Sequence, residues 1–238
     1  TLSPSLIFDK VQEHITKPAH LRPAYVEGEG IVDPMLKGIK KIMGGQIYLD
    51  PDLLEAAAND VFQGLGPPET GRGVVHSYTE AIVGVDGDPY KRPINRTTSP
   101  GYPYNLNNKT KGKTAWLGTD ETYIVDHPEL KRDVEKLLED SRNGIRGSAI
   151  SIATLKDEKR PIAKVDACKT RVFEACPQHL VIAIRQYFLD FAAHVMRNRI
   201  GNGIAVGINP YSLEWTKLAH HLQKQGDFMI AGDFSNFD

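Results

Sequence analysis

The stretch that most constrains this sequence is its last, Asp227-Phe228-Met229-Ile230-Ala231-Gly232-Asp233-Phe234-Ser235-Asn236-Phe237-Asp238. From Phe228 to Gly232 every residue is apolar or Gly. A run this short between polar breaks predicts a buried strand covered on both faces. Asp233 stands where that strand should end. A carboxylate at such a point is a natural ligand for a hard cation. Mg²⁺ takes one or two carboxylates and leaves its other positions to water and substrate phosphates. Taken alone, the same residues also fit a turn cap at Asp233 and a solvated loop acid at Asp238.

A second stretch narrows the choice. Between Leu155 and Arg171 fall six cations: Lys156, Lys159, Arg160, Lys164, Lys169 and Arg171. Cations facing a metal-binding carboxylate are what triphosphate chemistry needs, because charge on the phosphate oxygens must be neutralised where the reaction happens. Pro161 interrupts the stretch and predicts two extended arms of a hairpin. In an extended chain residues two apart share a face, so Lys169 and Arg171 point the same way. The same holds for Lys156 and Arg160 on the other arm if the arms pair.

Two more stretches join these in order: Thr98-Ser99-Pro100-Gly101-Tyr102-Pro103-Tyr104 and Gly203-Ile204-Ala205-Val206-Gly207-Ile208-Asn209-Pro210. In the first, Gly101 permits close backbone approach and Tyr102 or Tyr104 could stack on a base. A packed aromatic corner fits it as well. Lys109, Lys111 and Lys113 follow, spaced on a loop that could meet RNA phosphates or simply face water.

Together the four stretches resemble the picornavirus-like RNA-dependent RNA polymerases. The basic stretch is similar to their K-D-E-x-R and K-x₄-K-[ST]-R fingers motif, and Asp233 to Asp238 is similar to their first palm motif, D-x₄-D. The Asn and Ser inside that palm motif, with the Pro of Ser-Pro-Gly-Tyr-Pro-Tyr, point to the insect-virus branches, dicistrovirus- or iflavirus-like. The resemblance implies an α+β fold: a right-hand polymerase fold, fingers plus the first part of the palm, truncated before the rest of palm and thumb. Residues 1–178 would be fingers, including the N-terminal segment and the basic motif where NTPs enter. Residues 179–238 would be helices and the first strand of an incomplete palm.

Roles follow from the same resemblance. Asp233 and Asp238 would be catalytic, with Asp233 and the Phe234 carbonyl on the metal, Mg²⁺ with Mn²⁺ as an alternative, in the complete enzyme. Lys156, Arg160, Lys164, Lys169 and Arg171 would meet the NTP phosphates. Arg171 ranks first, since a guanidinium grips phosphate bidentately. Asp238 would accept a hydrogen bond from the ribose 2′-hydroxyl, which a dNTP lacks. Ser99, Gly101, Tyr102, Pro103, Tyr104, Lys109, Lys111 and Lys113 would lie beside template RNA. Expected partners are RNA template and primer, NTPs, and the remaining palm and thumb of the same polymerase, in the host cytoplasm at viral replication complexes. The family's later palm motifs would fall after Asp238, so this piece alone is expected to be inactive. A non-catalytic module that holds RNA or a protein is the competing class. A metal-dependent phosphatase built on Asp233 would need a second acid cluster nearby.

Composition limits the alternatives without choosing among them. A 238-residue chain with 40% hydrophobic and 25% charged residues describes an ordinary globular protein of one large or two small domains. The net charge of −1 means that RNA contacts must come from local patches. Two cysteines, Cys168 and Cys176, make no disulfide framework and no metal pattern. No run approaches 18 apolar residues, so no membrane span is expected. The opening Thr1-Leu2-Ser3-Pro4, without Met, fits either a product cut from a polyprotein or an artificially trimmed chain.

Along the chain, residues 1–33 read as irregular. The resemblance implies that they run from fingers to thumb. Asp33-Pro34 and Asp50-Pro51 predict helix starts, Asp at the N-cap and Pro at N1, with Gly44-Gly45 ending the first helix and the apolar residues of both in the core. Val74 to Thr79 and Ala81 to Val85 read as short strands, and His76 as a structural or surface residue. A surface helix is predicted over 127–142 and a long one over 177–199. The long helix carries Leu180, Ile184, Tyr187, Phe188, Phe191, Ala192 and Val195 as its apolar stripe. A further helix is predicted from Asn209-Pro210.

Overall fold

The computed structural model describes residues 16–41, 48–67, 73–106, 110–224 and 226–233. Helices start where the sequence supplies caps. After strands β1 (Thr16–Pro18), β2 (Ala24–Val26) and β3 (Gly30–Val32), helix α1 spans Pro34–Ile39. Asp33 caps it by accepting from the Met35 amide at 2.8 Å. Helix α2 spans Pro51–Leu65, with Asp50 accepting from the Asp52 amide at 2.9 Å. Both caps stand where the Asp-Pro pairs predicted them. Gly44 and Gly45 lie outside the described residues.

Helix α3 (Tyr78–Val83) replaces the two strands expected over 74–85. Val75, Ile82 and Val83 suggested strands by composition, but a capping box decides the conformation. The Ser77 side chain accepts from the Glu80 amide at 3.1 Å, and the Glu80 carboxylate accepts from the Ser77 amide at 2.8 Å. Helices α4 (Thr114–Leu117) and α5 (Pro128–Arg142) follow. Next come β4 (Ile152–Leu155), β5 (Lys159–Pro161), α6 (Ile162–Asp166), β6 (Val172–Ala175), α7 (Gln178–Arg197) and α8 (Glu214–Gln223). Helix α8 begins four residues after the Pro210 that was read as its start, past a turn in which Asn209 Oδ1 accepts from the Tyr211 amide at 3.0 Å.

The strands pair two by two: β1 with β5, β2 with β3, and β4 with β6. The first two pairs are antiparallel. The predicted hairpin of two basic arms is therefore more elaborate. Its outer ends, β4 and β6, pair, and the Lys156 amide donates to the Arg171 carbonyl at 2.9 Å. Between them β5 turns to β1, which comes from the segment read as irregular. Pro161 has no amide hydrogen to donate and sits where α6 begins, so the ladder stops there and a helical turn follows.

The described residues fall into two compact units, one from 16–41 and Ala153–Glu174, the other from 48–152 and Ala175–Asp233. The second has its core on α7, where α3 and α5 pack. Ile82, Ile94, Tyr104, Leu117, Leu130, Val134 and Ile182 are buried there. His76 is buried too, its ring nitrogens 3.7 Å from Glu80 and 3.9 Å from Asp190.

Three apolar stretches depart from expectation. The buried face of α7 is Ile182, Ala183, Leu189 and Ala193, while Ile184, Tyr187, Phe188 and Phe191 of the predicted stripe are exposed. Helix α2 buries no residue, and Leu53, Leu54, Val61 and Phe62 face outward. Phe228 to Gly232 forms no strand, and Phe228, Met229 and Ile230 are exposed. A strand exists only by pairing, and no described strand lies beside this run. No helix among the described residues is long and apolar enough to cross a membrane.

Candidate functional site

The basic stretch is assembled around one carboxylate that the cation pattern does not announce. Glu158 accepts from Arg171 through both oxygens, Nε to Oε1 at 2.6 Å and the terminal nitrogen to Oε2. Arg160 lies 3.3 Å and Lys156 3.7 Å from the same group. Arg171 beside it holds the Glu158 carboxyl down at about 2. Among the described residues Lys156, Arg160 and Arg171 thus converge on one carboxylate, which orients the Arg171 guanidinium. Lys17, opposite Arg160 in the β1–β5 ladder, adds a fourth cation, 3.7 Å from Asp166.

Local structure sets the direction of the second arm. The turn after α6 passes through Cys168, whose φ of 50° places it in the left-handed region. Its buried thiol lies 3.7 Å from the Val32 carbonyl, and burial pushes its pKa up. Thr170 is buried and donates to the His20 carbonyl at 2.7 Å. Lys169 and Arg171 on either side are exposed, as the two-residue period predicts. Lys164, in the last turn of α6, and Lys159 are exposed as well.

The Ser99–Tyr104 loop belongs to the other unit and is built against the start of α7. Pro100 accepts from the Gln178 amide at 2.9 Å. Gly101 has φ 72°, and a Cβ there would stand 2.4 Å from the Cys176 carbonyl oxygen, so only glycine fits. The Tyr102-Pro103 peptide is cis. Tyr102 and Ser99 are exposed and Pro103 half-buried, whereas Tyr104 is only 2% exposed. Lys111 is exposed, while Lys113 is buried and its ammonium turned onto the loop, 3.2 Å from the Asn95 carbonyl. Lys109 lies outside the described residues.

Asp233 is exposed at the end of the irregular run 226–233, and Phe234 and Asp238 lie outside the described residues. Asp233 is the kind of hard oxygen donor that Mg²⁺ accepts, and one carboxylate fits an ion that draws its other ligands from water and phosphate. No group of three His, Cys, Asp or Glu that could hold a metal ion gathers among the described residues.

Sequence reading missed Glu158 because it looks like a spacer within a cation run. It missed Asp133 and His179, which face Tyr104, because they are distant in sequence. Only the position of Glu158 between Lys156 and Arg160 carries a signal: an acid inside a basic stretch invites a pairing role.

A family model described as "Viral RNA-dependent RNA polymerase" matches residues 7–238. The chain is 45% identical to the replicase polyprotein of Cricket paralysis virus, covering all of this chain and 14% of that polyprotein. It is 41% identical to that of Drosophila C virus and 40% to that of Acute bee paralysis virus, again over the whole chain and 14% and 12% of the polyproteins. These relatives are dicistroviruses, one of the insect-virus branches that the motif details pointed to. Among solved structures, the Sicinivirus 3Dpol RNA-dependent RNA polymerase superposes with a TM-score of 0.69 at 28% identity. The match covers 88% of this chain and 41% of the Sicinivirus one. The fold is thus that of part of a right-hand polymerase, and the chain spans less than half of the solved polymerase it matches. On the extent of the family match and the identity to three replicases, this chain belongs to the viral RNA-dependent RNA polymerase family.

Proposed function

We propose that this chain is part of a polymerase that copies a positive-strand RNA genome by template-directed nucleotidyl transfer from NTPs. The observation that carries the reading is the cluster of Lys156, Arg160 and Arg171 on Glu158, in a chain of this family. Fingers would occupy residues 1–178, and the palm would begin within 179–238. The triphosphate would take the exposed cations Lys156, Lys164, Lys169 and Arg171, while Arg160, its side chain mostly buried, reinforces the field. Glu158 holds the Arg171 fork in one orientation, so less side-chain freedom is lost when phosphate binds.

Asp233, with the Phe234 carbonyl, would hold a divalent ion, Mg²⁺ by the hardness of its ligands, with Mn²⁺ as a substitute. When bound, the metal supplies charge neutralisation at the reacting phosphate. Asp238 would accept from the ribose 2′-hydroxyl and so favour NTP over dNTP. Tyr102, with Ser99, Gly101, Pro103 and Lys111, would line the path of template RNA. The exposed face of α7 is where the remaining palm and thumb would pack. Action would be in the host cytoplasm, at replication complexes.

Steady-state incorporation of labelled NTP on a primed RNA template tests this in the intact polymerase. Arg171→Ala should lower kcat/KM for NTP by at least about tenfold at saturating RNA, since a charge-assisted phosphate contact contributes roughly 1.5–3 kcal/mol. RNA affinity should stay at the parental value. Unchanged kcat/KM would remove Arg171 from the site.

A further inference from the structure

The loop that carries Tyr102 is pinned on both sides by buried polar side chains. On one side the Tyr104 hydroxyl lies 2.9 Å from Asp133 Oδ2 and 2.9 Å from His179 Nδ1. An ionised carboxylate can only accept. The hydroxyl therefore donates to Asp133, and its oxygen accepts from a protonated Nδ1 of His179. The bonds run in one direction, from the first turn of α7 through the loop to α5. Burial lowers the His179 pKa, which favours the neutral ring, and the contact with the Tyr104 oxygen suits the tautomer protonated at Nδ1.

On the other side Lys113, 7% exposed, donates to the Asn95 carbonyl at 3.2 Å, the Thr98 carbonyl at 3.3 Å and the Thr98 hydroxyl. An ammonium has three hydrogens, and here three neutral oxygens receive them. Lys113 is thereby committed to the loop and holds no charge out to solvent. Between the two pins, the backbone is tied to α7 through Pro100 and wedged at Gly101. What remains outward is Tyr102, 38% exposed, beside the exposed Ser99. A Phe at 104 would fill the same apolar core. The hydroxyl and its two partners add direction rather than burial.

We propose that Tyr104 and Lys113 are positioning residues that hold Tyr102 as a rigid platform on which a base of single-stranded RNA stacks. The proposal rests on the polymerase reading above. A base that lands on a platform already fixed orders less protein on binding, and stacking on an aromatic ring is tolerant of sequence. RNA affinity at this loop then depends on the Tyr104 hydroxyl only through Tyr102.

Fluorescence anisotropy with a short single-stranded RNA, on the intact polymerase, measures this directly. NTP incorporation at saturating RNA is the companion assay. Tyr102→Ala should raise the RNA Kd about tenfold. Tyr104→Phe should raise it in the same direction and leave the NTP KM at saturating RNA unchanged. Adding Tyr104→Phe to Tyr102→Ala should cost nothing more, because the ring it positions is gone. His179→Asn keeps a donor near Nδ1 and should stay close to parental affinity, whereas His179→Leu should behave like Tyr104→Phe. Lys113→Met should weaken RNA binding alone but not in the Tyr102→Ala background. Additive losses, or parental Kd for Tyr102→Ala in a polymerase that extends primers, overturn the platform and leave the polymerase reading standing. A parent that binds RNA with the predicted pattern but incorporates no nucleotide overturns the polymerase reading instead.

Discussion

At the scale of single residues, one carboxylate organises the basic site. Glu158 has a folded pKa of about 2, against roughly 4.3 for a free glutamate side chain. A depressed carboxyl pKa contributes stability that is fully present above the unfolded value and lost as pH falls through the folded one. The midpoint of thermal unfolding should therefore fall between about pH 5 and pH 2 in the parent. Glu158→Gln should flatten that part of the profile and show a lower midpoint at neutral pH. Identical profiles would mean that the pair with Arg171 contributes nothing to the folded state. Arg171→Lys separates charge from shape: lysine keeps the cation but loses the planar fork, so NTP kcat/KM should drop by about tenfold rather than recover.

The residue scale also shows what the sequence could disclose. The shared direction of Lys169 and Arg171 was legible, because alternation in an extended chain needs no knowledge of the partner strand. Glu158 was not, because its three partners come together only when residues 156–171 have folded. Nor was the division between Tyr102 and Tyr104. Both are tyrosines two apart in one loop, and only the packing of α5 and α7 decides which turns inward.

At the scale of elements, capping was read correctly where the signal is local, as at Asp33 and Asp50. It was missed at Ser77, where strand-forming Val and Ile outweighed a serine and glutamate three apart. Ser77→Ala should lower the unfolding free energy by about 1 kcal/mol, measured by urea titration, if the capping box holds α3. Helix α7 was placed correctly and its faces were not. Periodicity marks its strongest apolar stripe, but in this chain Ile184, Tyr187, Phe188 and Phe191 of that stripe stay exposed while Ile182, Ala183, Leu189 and Ala193 meet the core. Ile182→Ala should destabilise by about 2–5 kcal/mol, because it empties a fully buried position. Phe188→Ala should change the stability of this chain by no more than about 0.5 kcal/mol. A larger loss in the intact polymerase would show that the open face is covered there.

At the scale of the whole molecule, each described unit carries one half of the proposed chemistry. The first holds Lys156, Arg160, Lys164, Lys169 and Arg171, proposed to meet the triphosphate. The second holds the Ser99–Tyr104 loop and Asp233. The run 228–232 was read as a strand from its composition, but a strand is a property of pairs, and its neighbours are not among the described residues. The solved polymerase extends well beyond the part matched, and the remaining metal ligands would come from there. The 238-residue chain by itself should accordingly incorporate no nucleotide with Mg²⁺ or Mn²⁺.

Primer extension on an RNA template, with the intact polymerase and its Asp233→Asn variant, tests the central claim most directly. A neutral amide is a poor ligand for a hard dication. Asp233→Asn should therefore abolish nearly all NTP incorporation while primer–template RNA still binds with parental affinity. Extension at the parental rate by Asp233→Asn would contradict the assignment of Asp233 to the metal, and with it the mechanism proposed for this chain.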